Sequence, residues 1–192
     1  MPKQILVPMV EGSEELEVVS IVDTLRRAGA TVTLASCQGN GDLTVKASHG
    51  MQLKADTHIR ECLNRSFHII ALLGGMPGSE HLRDCPELTQ LLMTQKQSGK
   101  WLAAICAAPA VVLSHHGLLD NVRATCYPTL MDQLEGALTQ AATTVVVDED
   151  KRVITAQGPG VVLAFTFKII DVLYGKDAHR PIAKQMVASW AL

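Results

Sequence analysis

One thiol and one carboxyl have neighbours that suit them to chemistry. In WLAAICAAPAVVLSHHG (Trp101–Gly117), Cys106 stands where an apolar run meets an alanine-rich helical run. Ala104 and Ala108, two residues before and after it, are as small as a nucleophile elbow on a sharp strand-to-helix turn requires. At a helix N-terminus, free N–H groups and the positive end of the dipole lower a thiol's pKa and favour the thiolate. Core packing explains the same pattern, because a free cysteine is also a small buried hydrophobe. In EGSEELE, Glu14 and Glu15 suit a helix's first turn, where acidic side chains complement the dipole. Glu17, between Leu16 and Val18, is placed either to sit in solvent or to point inward. Burial would keep it protonated, able to donate a hydrogen bond to a thiolate and to shuttle a proton.

LLGGMPGSE sets Gly74 and Gly75 at the end of an apolar strand, where bare backbone N–H groups can approach an oxyanion or carboxylate. The spacings of phosphate-binding glycine loops are absent. A cysteine hydrolase needs an imidazole to take the thiol proton. Here Ala107 follows the cysteine, TCYPT offers Tyr127, and His115 and His116 lie too far along the helix to reach back. His49 and His81 fall in loops and leave that reading open. Cys126, at a strand end, is placed to approach the same crevice; Cys37, Cys62 and Cys85 read as packing residues. The five cysteines form no CxxC pair, which points to reduced thiols and away from a zinc site or a disulfide framework.

The elements that must position these residues follow from periodicity. Gln4–Met9, Thr31–Ser36, Phe67–Leu73 and Trp101–Ile105 read as strands, as do Arg123–Cys126, Thr143–Val147 and Arg152–Thr155. Leu43–Ala47 and Met51–Ala55 suggest a small hairpin. Helices are predicted over Ser13–Ala28 with Leu16, Val19, Val22 and Leu25 roughly on one face, over Glu87–Ser98, over Ala107–His116, and from Gly158–Pro159–Gly160 to Tyr174. Short apolar strands alternating with amphipathic helices predict an α/β domain, a mostly parallel sheet covered on both faces. Pro8 weighs against a central first strand unless it lies near the strand's end. The loops Glu11–Glu17, Gly74–Ser79 and Cys106–Ala108 all leave strand carboxyl ends, where such sheets bind ligands.

The 192 residues suit one domain, 1–192, with a sizeable core. A net charge of −2 gives no reason to expect nucleic acid or an anionic membrane surface as partner. The N-terminal apolar run is cut at Glu11, too short for a signal sequence or a membrane span, so the cytoplasm is expected.

Taken in order and spacing, GSEELE, LLGG, AAICAAPA and QGPG resemble the ThiJ/PfpI superfamily, in the branch of the parkinsonism-associated deglycase and its bacterial relatives. The resemblance runs from Gln4 to Ala188 and implies a flavodoxin-like sandwich, usually a cytoplasmic homodimer. By position it implies that Cys106 is the oxidation-sensitive nucleophile, Glu17 its protonated partner, and Gly74, Gly75 and Ala107 the source of backbone N–H groups. Cys126, Tyr127, Gln157, Gly158 and Pro159 fall at the pocket's edge in this reading. Tyr127 stands where many members have histidine, Leu73 where proline is common, and Val161 where threonine is common. Because Ala107 replaces the histidine of protease-like members, the chain looks unlike them. The implied function is cofactor-free chemistry, without metal, on small aldehydes such as methylglyoxal or on early glycation adducts of proteins. Three alternatives stand beside it. One is a redox-sensing chaperone for unfolded protein whose cysteine becomes sulfinate. The others are a cysteine hydrolase or amidotransferase-like enzyme and a thiazole monophosphate biosynthesis protein.

Overall fold

The structure, a computed structural model, describes residues 2–192. The first half of the chain runs β1 (Gln4–Met9), α1 (Glu15–Arg27), β2 (Thr31–Ser36), β3 (Thr44–Lys46), β4 (Gln52–Lys54), β5 (Thr57–His58) and β6 (Ile69–Leu72). Then come α2 (Gly78–Arg83), α3 (Pro86–Gln97), β7 (Trp101–Ile105), β8 (Arg123–Ala124) and β9 (Leu138–Thr139). The chain closes with β10 (Val145–Asp148), β11 (Val153–Ala156), α4 (Val162–Tyr174) and α5 (Arg180–Gln185).

Seven strands form one sheet in the order β10-β11-β7-β6-β1-β2-β5, all parallel except β10 against β11. This is the doubly wound order of flavodoxin-like folds, in which the winding reverses between β1 and β6. The apolar runs IIAL and VITA are buried throughout, as strands covered on both faces must be. One core layer gathers Leu88, Leu92, Val112 and Leu119 beneath α3. The other gathers Ile21, Leu25, Phe165 and Ile169 beneath α1 and α4. Phe165 is fully buried in that second layer, so Phe165→Ala should cost about 3–5 kcal/mol of stability, read as a lower denaturant midpoint.

Pro8 is tolerated in the sheet interior on the condition expected: it is next to last in β1, past Ile5 and Leu6, which pair with β6, and opposite Ala35 of β2. Two expectations need correction. The inward face of α1 is Glu17, Val18, Ile21, Val22, Thr24 and Leu25, while Leu16 and Val19 lie exposed. The cause is a second apolar stripe, Val18, Ile21, Val22 and Leu25 at i, i+3, i+4 and i+7, which packs on the sheet and carries Glu17 inward beside it. The run after Cys106 is not the expected α-helix. It turns, then winds as a π-helix over Pro109–Ser114, closed past its end by Gly117 at φ +66° and the Leu118 N–H reaching back to the Leu113 carbonyl at 2.9 Å. All six residues of that segment are buried, so an amphipathic surface helix does not suit it.

Candidate active site

The loops after β1, β6 and β7 meet beside the reversal point, as their strand-end positions predicted. Cys106 ends β7 at φ 63°, a left-handed conformation unusual for any residue but glycine. Both of its peptide groups are held: its N–H donates to the Ala156 carbonyl at 2.9 Å, and its carbonyl accepts from the Tyr127 N–H at 2.7 Å. The surroundings thus fix a backbone that would otherwise relax, at a local cost of about 1–3 kcal/mol. The thiol is partly exposed, and the Gly75 and Ala107 amides point at it.

Glu17 is wholly buried, and its Oε2 accepts the Gly74 N–H at 2.7 Å. Its carboxyl lies beside the Cys106 thiol, both within about 3 Å of where a Gly74 Cβ would sit. The other oxygen, Oε1, is buried without a partner, a place that favours a neutral carboxyl over a carboxylate. Burial pushes Glu17 up to about 7; the Gly74 amide opposes this and the Glu14 charge adds to it. Burial and the Glu17 carboxylate push the Cys106 thiol up to about 12, against the pull of the Gly75 and Ala107 amides. The expectation of a simply depressed thiol is corrected here, because burial and a neighbouring anion outweigh the helix-end amides. The two groups titrate as one unit: it releases a first proton near neutrality and a second only when thiolate must sit beside carboxylate.

Gly74 is the spacer that lets the pair meet. A Cβ built there would lie 2.8 Å from the Cys106 sulfur and 3.1 Å from Glu17 Oε2. Gly74→Ala should therefore part the thiol from the carboxyl and lower turnover of a carbonyl substrate by about 10²-fold, measured as kcat. Gly75 adopts φ +90°, and a Cβ there would come 2.6 Å from the Glu14 amide, locking the β6 loop to the start of α1. The Glu14 N–H donates to the Gly74 carbonyl at 3.0 Å in the same contact.

The other predicted positions divide. Tyr127 touches the elbow through its N–H, and its half-exposed ring lies 3.5 Å from a Cβ built on Gly158, so Tyr127, Gly158 and the following Pro159 share one edge. Gln157 turns away, donating to the Ala141 carbonyl at 2.9 Å. Cys126 is a further correction: it is fully buried in the opposite core layer, its thiol 3.4 Å from the Tyr127 carbonyl and 3.8 Å from the Met131 sulfur. Burial pushes that thiol up to about 11. The Ala156 carbonyl, which sequence reasoning missed, anchors the elbow; backbone partners leave no trace in residue types.

The histidines are engaged elsewhere. His49 lies beside Glu14 and Glu15, His81 meets the Glu11 carbonyl at 3.0 Å, and His116 meets the Arg83 carbonyl at 3.1 Å. Glu14, Glu15 and His49 lie close enough to share a cation. Glu15, however, already accepts from the His49 and Met51 amides and the Ser48 hydroxyl. Those bonds overcome its desolvation and hold Glu15 down at about 2, stapling the β3–β4 turn to α1. No helix among the described residues is long and apolar enough to cross a membrane.

Residues 3–172 match the DJ-1/PfpI family. The chain is 37% identical to Protein DJ-1 homolog B of Arabidopsis thaliana over 96% of its own length, spanning only about two fifths (41%) of that longer protein. It is 37% identical to the glutathione-independent glyoxalase DJR-1.2 of Caenorhabditis elegans, over 92% of this chain and 91% of that one. An oxidised DJ-1 of Toxoplasma gondii superimposes with a TM-score of 0.91 at 44% identity, covering 96% of this chain and 98% of that one.

Proposed function

The chain belongs to the DJ-1/PfpI family, and from that premise we propose that it is a reactive-carbonyl stress enzyme that converts methylglyoxal-type aldehydes, or early glycation adducts, to hydroxy acids through Cys106. The observation that carries this reading is the thiol–carboxyl contact between Cys106 and buried Glu17, with the Gly75 and Ala107 amides beside it.

With one proton on the pair, held by the sulfur, the Glu17 carboxylate takes that proton as the Cys106 sulfur attacks the aldehyde carbon and a C–S bond forms. The oxyanion is held by backbone N–H groups and takes the proton of Glu17, giving a hemithioacetal. The Glu17 carboxylate then removes the proton on that carbon and returns it to the adjacent carbonyl carbon through an enediol. The aldehyde carbon is oxidised to a thioester while its neighbour is reduced to a carbinol, so no outside oxidant enters. Water cleaves the thioester, releasing the hydroxy acid and restoring the thiol. Purified chain given methylglyoxal without glutathione should form lactate above the buffer rate; no lactate above buffer would overturn the reading.

A second reading, redox sensing by the same sulfur, is favoured by the donors around it. A sulfinate at Cys106 would accept from the Gly75 and Ala107 amides and from protonated Glu17. The homodimer of this reading is formed through α1, where Leu16 and Val19 lie exposed and Leu16 shares an apolar groove with Trp190. A single domain acting in the cytoplasm completes the proposal.

A further inference from the structure

Away from the Cys106 crevice, two more thiols face each other. Cys37 follows β2, and Cys85 lies in the short link between α2 and α3, at the cap of α3. The sequence reading made both of them packing residues. Both line one cavity of about 360 Å³ opening to solvent, close enough that each thiol shifts the ionisation of the other. Each is 7% exposed, so small reagents reach them only through that cavity. They pack in the core layer under α3, whereas Cys106 packs against the opposite layer.

We propose that Cys37 and Cys85 are a second thiol site, a dithiol that closes to an intramolecular disulfide when hydroperoxides enter this cavity. The two sulfurs do not have equal roles. The Cys37 thiol and the Leu88 amide favour the Cys85 thiolate, opposed by burial and by Glu87, whose Oε2 lies 3.7 Å from the Cys85 sulfur; the balance lowers Cys85. Cys37, beside Cys85 and buried, is held well above the ordinary thiol range. His58, Arg60 and His81 on the cavity wall face Glu11, Asp84 and Glu87, so the mouth carries both signs of charge.

That asymmetry assigns the steps. The Cys85 thiolate attacks the O–O bond, taking one oxygen as sulfenic acid while the hydroperoxide leaves as an alcohol, or as water from hydrogen peroxide. The Cys37 sulfur then attacks the sulfenic sulfur, the S–S bond forms, and water departs with the Cys37 proton. Two thiols lose two electrons and the peroxide gains them. The sulfurs share one cavity wall and one core layer, and bond formation brings them to about 2.05 Å.

The test is a tryptic map of the full chain after graded hydrogen peroxide, alkylated without reductant. Each relevant peptide, Ala28–Lys46 and Asp84–Lys96, carries one cysteine, so their cross-link, about 2 Da lighter than the summed peptides, is unambiguous. We expect that cross-link to form and to reverse with dithiothreitol, with alkylation of both cysteines reduced at least ~10-fold. In Cys37→Ser, Cys85 should instead be trapped as a sulfenic acid by a dione probe. In Cys85→Ser, Cys37 should remain alkylatable; circular dichroism verifies the fold of both variants. Persistence of both free thiols at peroxide levels that oxidise Cys106, or a link from either thiol to Cys62, would overturn the proposal. Because the readout is a cross-link rather than lactate, its failure is distinct from failure of the carbonyl chemistry.

Discussion

Cys106→Ala is expected to form lactate from methylglyoxal at least ~10³-fold more slowly than the parent chain. The expectation follows from what remains once the sulfur is gone: the amides of Gly75 and Ala107 can still polarise a carbonyl, but no atom can form the C–S bond. Fold should not confuse the result. Alanine removes a single sulfur from a partly exposed site, and the bonds that pin the elbow come from backbone groups of Ala156 and Tyr127. Lactate release measured alongside far-ultraviolet circular dichroism checks it. Retained turnover in a folded chain would remove Cys106 from the reaction.

Glu17→Gln should separate adduct formation from turnover. Glutamine can still accept the Gly74 N–H and donate to the sulfur, but it cannot pick up and return a carbon-bound proton. Turnover should fall about 10²–10⁴-fold, while a thiol adduct of methylglyoxal still accumulates and is seen by intact mass. The pH profile supplies a second signature. The parent reaction needs one proton on the pair, so its rate should rise with pH through about 7, where Glu17 and Cys106 together lose their first proton. The variant should lose that inflection.

Stability should move the other way. Glu17 is raised from 4.5 to about 7 in the folded chain, so the folded state holds this proton more tightly than the unfolded state does. The stability tied to the neutral carboxyl is complete below pH 4.5 and is lost as pH rises through 7, by about 3 kcal/mol. Glutamine carries no charge to bury. Glu17→Gln should therefore melt several degrees above the parent at pH 8 and close to it at pH 4, by calorimetry.

Residue pattern read the sheet well because strands covered on both faces must be apolar throughout, as IIAL and VITA are. It read the elbow well for a similar reason: Gly74 is demanded by space, Ala104 and Ala108 are wholly buried, and small size is visible in residue type. It failed on α1, where Leu16, Val19, Val22 and Leu25 form a plausible stripe by spacing. A second stripe, Val18, Ile21, Val22 and Leu25, fits the same period, and the packing chooses it, leaving Leu16 and Val19 outside. A two-residue strand such as Thr57–His58 carries too few positions for a period to register. The π-helix is equally silent, because one added residue per turn changes no residue type. Cys37 and Cys85 lie far apart along the chain, and nothing in either neighbourhood announces the other.

The left-handed turn at Cys106 places this fold under opposing demands. Were the chain selected only to stay folded, position 106 would drift to glycine, which accepts φ 63° without strain. Asn121, Arg152, Asp177 and Val187 share that left-handed backbone, but only at Cys106 does it meet a buried carboxyl and two amides. That coincidence, rather than the torsion alone, is what the proposed chemistry asks of the fold.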